Sequence, residues 1–366
     1  MYGDRQQALG MVALYITIDT EYEFGFTRRH GPGSRAENFR RSIRCATPDG
    51  DVGIFHQMDV FDRHGLKGVF FVDPLPALLW GTGPIADIVE PIVARGHDVQ
   101  LHLHTEWLEL AGKANPLGTR TGANIKDFAR DEQAVLLELG IDLLMQAGAP
   151  RPVAFRAGNY GANDDTLRAM VQVGLSHDTS HPPGLMDGEC EIGLDERHRR
   201  PLRRHGVIEV PIGCIGDALG GLRHAQLTAL SYREIVAALR HARANELGCF
   251  TVVSHSFELL CRQRTRINRI VERRFEKVCA HVAAMEGVTT ATYAERLPNV
   301  AKRPVGAPVL APAPLLNGTR MVEQAVANAL YGRETAAHVE GDGAKEPNAV
   351  AKAVRYLEIA NQARVR

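Results

Sequence analysis

Between Val12 and Leu297 the chain alternates, about eight times, between short apolar runs of β type and longer stretches with helical spacing of apolar residues. Parallel strands need crossover connections, usually helices, so this alternation selects an α/β protein with a mostly parallel sheet. The count favours a closed barrel over an open doubly wound sheet. The first run, VALYITIDT, ends abruptly in Asp19, Thr20 and Glu21. Side chains alternate along a strand, so Asp19 and Glu21 share one side at its C-terminal end.

The remaining elements follow the same logic. The spacing of Ile54, Met58 and Phe61 predicts a helix within 51–65, stopped by Gly65 and followed by the strand KGVFFVD. A helix over 84–95 leads into HDVQLHLHTEW, which sets Val99, Leu101 and Leu103 against His102 and His104, with His97 at the opposite end of the strand. A long helix closes at Gly148 and Pro150, and PVAFRAG precedes a helix opened by Asn163. GLSHDTS, a polar insertion over 181–206 and the strand VIEVPI come next; Ser231 caps a helix ending at Gly248, and CFTVVSHS is the next strand. A basic amphipathic helix and VTTATYAERL close the repeat. The segment FGFTRRHGPGSRAENFRRSIRCATPDG reads as a polar, Gly-rich loop outside the core, on the side where it could cover Asp19 and Glu21.

The expected organisation is a barrel over 11–298, a Pro/Ala-rich linker over 299–317 and a helical appendage over 318–366. The appendage has Val350, Val354, Leu357 and Asn361 along one helical face, suited to a contact between copies of the chain or to its own barrel. With 43 basic and 43 acidic side chains in 366 residues, the composition gives no support to nucleic-acid binding. No run approaches the roughly 20 apolar residues that cross a bilayer, and the first residues lack the pattern of a secretory signal. Six scattered cysteines without a CxxC pair suit a reduced, cytoplasmic setting.

Strand ends carry the reactive side chains: Asp19 and Glu21; His102 and His104 with Glu106; Arg156 with Asn159 and Tyr160; Asp178; and His255. In a barrel these converge on the C-terminal face, where active sites form. Two imidazoles and a carboxylate can hold a divalent metal with a position left open for water. A further carboxylate and a further histidine would then serve as base and acid.

The ordered set TIDTE, GHDVQLHLHTEW, FRAGNYG, HDTS, VIEVPI, VVSHS and ATYAERL resembles the polysaccharide deacetylase family, the NodB-homology or carbohydrate esterase family four-like domain, from about Val12 to Leu297. The resemblance implies a deformed (β/α) barrel that uses a divalent metal, zinc above all, to remove acetyl groups from glycans. By the family's motifs Asp19 matches the base, Glu21 the metal carboxylate in a DxE variant, and His102 the first metal histidine. The second metal histidine falls on Glu106, a departure. Either Glu106 binds the metal, or His104 replaces the missing ligand, or the metal site is weak; imidazole chemistry favours His104. Arg156 matches the arginine that orients the base, Asn159 and Tyr160 fall in the substrate and oxyanion region, Asp178 matches the supporting fourth motif, and His255 matches the general acid.

The implied reaction is deacetylation of an amino-sugar glycan or a sugar precursor. The rivals are a non-sugar amide or cyclic amide hydrolase on the same scaffold, and a catalytically silent glycan-binding protein.

Overall fold

The structure, a computed structural model, describes residues 11–303 and 305–331. Its first strand, β1 (Val12–Thr20), is buried over all nine residues because each face meets a different core. Val12, Leu14, Ile16 and Ile18 enter the large core beneath the helices. Ala13 and Tyr15 face the other way, into a small cluster with Val69, Phe71, Ala154, Val210, Ala291 and Tyr293 that fills the barrel lumen. A strand apolar on both faces is what a parallel sheet covered on both sides requires.

The main sheet contains nine strands: β1, β2 (Val69–Val72), β3 (Asp98–Leu103), β4 (Ala154–Ala157), β5 (His177–Asp178), β6 (Leu202–Arg204), β7 (Val207–Glu209), β8 (Cys249–His255) and β9 (Val288–Thr290). Their order is β8-β1-β2-β3-β4-β5-β7-β6, with β9 pairing the start of β1. All neighbours are parallel except the β6–β7 pair. Beyond β7 the chain crosses the remaining gap: the Gly213 N–H donates to the Thr251 carbonyl at 2.9 Å, and Ala225 and Leu227 bond to Val253. A Cβ at Gly213 would stand 2.6 Å from the Phe250 ring and 2.7 Å from the Thr251 oxygen, so this closure needs glycine. The result is the deformed (β/α) barrel that the family resemblance implies, stitched shut by short contacts in place of a regular closing pair of strands.

Helices α1 (Ile54–Arg63), α2 (Gly83–Ala94), α3 (Arg130–Gln146), α4 (Asp164–Gln172), α5 (Tyr232–Ala244) and α6 (Arg269–Ala283) lie outside the sheet. Ile54, Met58 and Phe61 of α1 are fully buried, each worth roughly 1.5–3 kcal/mol by apolar transfer. Asn163 and Ser231 accept hydrogen bonds at the starts of α4 and α5, and Ser231 completes a reciprocal cap with Glu234. His97 packs against Phe61 and Phe70 at the barrel's base, in a structural setting.

Two expectations change. The segment after β1 is not a loop outside the core: it forms a helix over Phe24–His30, a turn, a helix over Arg35–Asn38 and a wide turn over Phe39–Ile43. Its polarity misled because Asn38, fully buried, satisfies the Glu23 backbone and the Thr27 hydroxyl from within. The appendage helix, α7 (Pro314–Tyr331), begins four residues earlier than expected, since proline is tolerated in a first helical turn. It lies on its own barrel, through Arg274 to Glu323 at 2.8 Å and Arg320 to Glu234 at 3.4 Å. The linker is laid down as well, with Gly216 N–H donating to Leu310. The second expected appendage helix, with Val350, Val354, Leu357 and Asn361, lies outside the described residues. No described helix is long and apolar enough to cross a membrane.

Candidate metal centre and active site

Parallel register decides which strand-end side chains meet. Asp19 of β1 stands beside His255 of β8 in the ladder, and His102 of β3 stands beside Arg156 of β4. Asp19 is 4% exposed and Arg156 fully buried, and the Arg156 Nη1 donates to Asp19 Oδ1 at 2.5 Å. The guanidinium also lies over the Phe71 ring, 4.3 Å from its centre, so packing and charge fix one orientation. Across Asp19, its second oxygen is 4.0 Å from His255 Nε2.

His255 is held from behind by Glu258, one helical turn's spacing further on, whose Oε1 lies 3.6 Å from Nδ1. Glu258 is pinned in turn by Thr228 and Ser254 hydroxyls at 2.9 and 2.8 Å and by the Gln226 amide. Burial works against a charged imidazole here, yet Glu258, then Asp19 and Glu21, outweigh it and push His255 up to about 9. A charged imidazole beside a buried carboxylate is an arrangement that can give and take protons.

The second cluster is Glu21, His102 and His104, whose ligand atoms all lie within 4.8 Å of one another. His104 Nε2 is 2.5 Å and His102 Nε2 3.3 Å from Glu21 Oε2. His102 Nδ1 bonds the Arg156 carbonyl at 2.7 Å, which leaves Nε2 facing the cluster with its lone pair, as a metal ligand requires. Glu106 stands outside, 3.2 Å from His104 Nδ1, so it orients the second imidazole. Gly158 makes room: a Cβ there would be 2.8 Å from His104 Nδ1 and 2.7 Å from the Leu103 carbonyl. Burial disfavours ionisation of both partners, but their mutual attraction holds the Glu21 carboxyl well below, and the His104 imidazole well above, its usual range. This donor set suits a divalent cation: two imidazoles and one carboxylate, with both Nε2 atoms turned to the same Glu21 oxygen.

The other expected residues are placed less centrally. Tyr160 and Asn159 both adopt left-handed backbone, φ 57° and 54°, which costs a non-glycine residue about 1–2 kcal/mol. The Tyr160 hydroxyl shares a 3.0 Å hydrogen bond with His224 Nε2, and burial raises its pKa. Asn159 is exposed and donates to Asn124 at 3.2 Å. Asp178 pairs in register with Glu209 and accepts from the Ser180 N–H and hydroxyl, both at 2.9 Å. Burial raises both carboxyls, and the neighbouring Asp178 carboxyl adds to the rise at Glu209. Ser180 in turn accepts the Ala157 N–H, beside Arg156, so Asp178 reaches the site through the β4 backbone.

Sequence reasoning missed Asp73, Glu258, His224 and Glu209. Asp73 follows β2 directly and was open to the same strand-end logic; it is fully buried, and burial pushes it up to about 7, against the pull of His104 and His102. His224 sits on a hairpin strand, Leu222–His224, with no pattern to distinguish it; burial, then Arg156, pushes it down to about 4.

No family model and no curated protein matches the sequence. Among solved structures, a Mycobacterium smegmatis protein named as a polysaccharide deacetylase is similar at 18% identity and TM-score 0.50, over 78% of this chain and 88% of that one. A family 4 carbohydrate esterase from Streptomyces lividans is similar at 10% identity and TM-score 0.37, over 82% and 98%. A 4-alpha-glucanotransferase from Thermococcus litoralis is similar at 12% identity and TM-score 0.49, over 78% of this chain and 40% of that one. Of these three, the first reaches the similarity at which folds agree: the chain has the polysaccharide deacetylase, or NodB-homology, fold.

Proposed function

We propose that this protein is a metal-dependent hydrolase that removes an acetyl group from an amino-sugar glycan or its precursor. The observation that carries the reading is the meeting of two clusters at one barrel mouth: Asp19 with Arg156 and His255, and Glu21 with His102 and His104. Glu21, His102 and His104 would hold the ion, zinc being the one that this donor set suits. A bound divalent ion supplies polarisation of the acetyl carbonyl and acidifies water.

The chain's own groups supply the rest. Asp19, kept aimed by Arg156, takes the proton of the attacking water. His255, protonated beside Glu258, gives its proton to the departing amine nitrogen. Acid and base sit on neighbouring strands in register, so one substrate carbonyl can reach both. Tyr160 is joined to His224 by a hydrogen bond, and Asp178 steadies β4 from behind through Ser180. The Glu106 departure, which would favour a silent glycan-binding barrel, is offset by His104 in the cluster.

The test is acetate release from a panel of N-acetylhexosamine oligomers and nucleotide-linked N-acetylhexosamines by zinc-loaded protein. Release by the parent and its loss by at least a thousandfold in Asp19→Asn is the expected result. Cleavage of simple cyclic amides with no acetate from any sugar would move the non-sugar hydrolase to first place.

A further inference from the structure

The strand ladder places a second carboxylate at the metal cluster. The Asp73 N–H donates to the Thr20 carbonyl at 3.1 Å, continuing the β1–β2 pairing of Thr20 with Val72. Val72 pairs in turn with Leu101 of β3. One residue further along, Glu21, Asp73 and His102 therefore stand side by side across three adjacent strands. Phe71, two residues before Asp73, lies in the lumen cluster, and the period of two turns Asp73 to that same side.

Asp73 is fully buried, and only half of its carboxylate is satisfied. Oδ1 accepts the Leu75 N–H at 3.1 Å, while Oδ2 has no hydrogen-bond partner among the described residues. An unpaired carboxylate oxygen in a dry interior is costly to keep ionised unless a cation stands nearby. The Oδ2 lies outside the Glu21, His102 and His104 trio, whose ligand atoms close to within 4.8 Å. Glu21 alone leaves a divalent ion with one uncompensated positive charge between two neutral imidazoles; Glu21 and Asp73 together make the centre neutral.

We propose that Asp73 is the second carboxylate of the metal centre, a positioning and charge-balancing residue that sets the affinity for the divalent ion from outside the ligand trio. The inference rests on the metal-centre reading above. Outer partners of this kind change metal affinity by about 10–100-fold.

The test is titration of Co²⁺ into chelator-stripped full-length protein, followed by calorimetry and by the visible absorption of the bound ion, for the parent, Asp73→Asn and Asp73→Ser. The serine hydroxyl can still accept from Leu75, so it retains the turn while removing the charge. Both variants are expected to bind Co²⁺ about 10–100-fold more weakly than the parent, and their ion-free forms to melt no lower than the ion-free parent. Parent-like Co²⁺ affinity in either folded variant, within twofold, overturns the inference and leaves Asp73 a turn residue only. A parent that takes up no Co²⁺ overturns the metal centre and this inference together.

Discussion

Glu258 holds His255 in its charged form, and removing its charge should be visible without any substrate. In Glu258→Gln the partner 3.6 Å from His255 Nδ1 becomes neutral, while the hydrogen bonds from Thr228 and Ser254 can be kept. His255 titrates at about 9 in the parent. A charge at that range is worth about 1–3 pH units; taking about 1.5 brings the variant near 7.5. At pH 8.5 the protonated fraction then falls from about three-quarters to about one-tenth, an eightfold loss of the acid form, with the same loss in turnover if that form is required. The raised value has a stability consequence of definite sign. The contribution of charged His255 is complete below the unfolded histidine value, roughly 6.5, and disappears as the pH climbs through about 9. The assay is NMR titration of histidines labelled at Cε1, with His255→Asn to assign the signal. A parent signal titrating near 6.5, or one that Glu258→Gln leaves unmoved, would refute the reasoning.

Two other perturbations follow from the packing. Arg156→Met strands the buried Asp19 carboxylate and should cost about 3–5 kcal/mol in urea unfolding, part of it regained when Asp19→Asn is added; a loss below about 1 kcal/mol would mean that water reaches Asp19 freely. Gly158→Ala puts a methyl 2.8 Å from His104 Nδ1 and 2.7 Å from a fixed carbonyl, so the imidazole has to move. Zinc affinity should drop at least tenfold by competition with a chromogenic chelator, whereas unchanged affinity would show that His104 is not a ligand.

Much of the barrel was legible in the sequence because its signals are local. The two-residue alternation of HDVQLHLHTEW put His102 and His104 on one face, and that face is the one turned to Glu21. The caps at Asn163 and Ser231 were likewise readable, since capping depends on a few neighbouring residues. What was not legible depends on register and on distant partners. That His104 and not Glu106 enters the cluster depends on β3 ending at Leu103 and on the turn that follows, which carries Glu106 behind the His104 imidazole. The buried polar segment after β1 was misread because Asn38 supplies hydrogen bonds that composition cannot show. Glu258 and His224 reach the site from a turn and a hairpin, where no period marks them.

The most direct test of the central claim is the metal stoichiometry of purified, zinc-reloaded protein after dialysis against metal-free buffer, measured by mass spectrometry of the element for the parent and for His102→Ala. About one equivalent in the parent and almost none in the variant is the result expected of a centre built on Glu21, His102 and His104. Parent and variant that both retain nothing, while each stays folded, would contradict it.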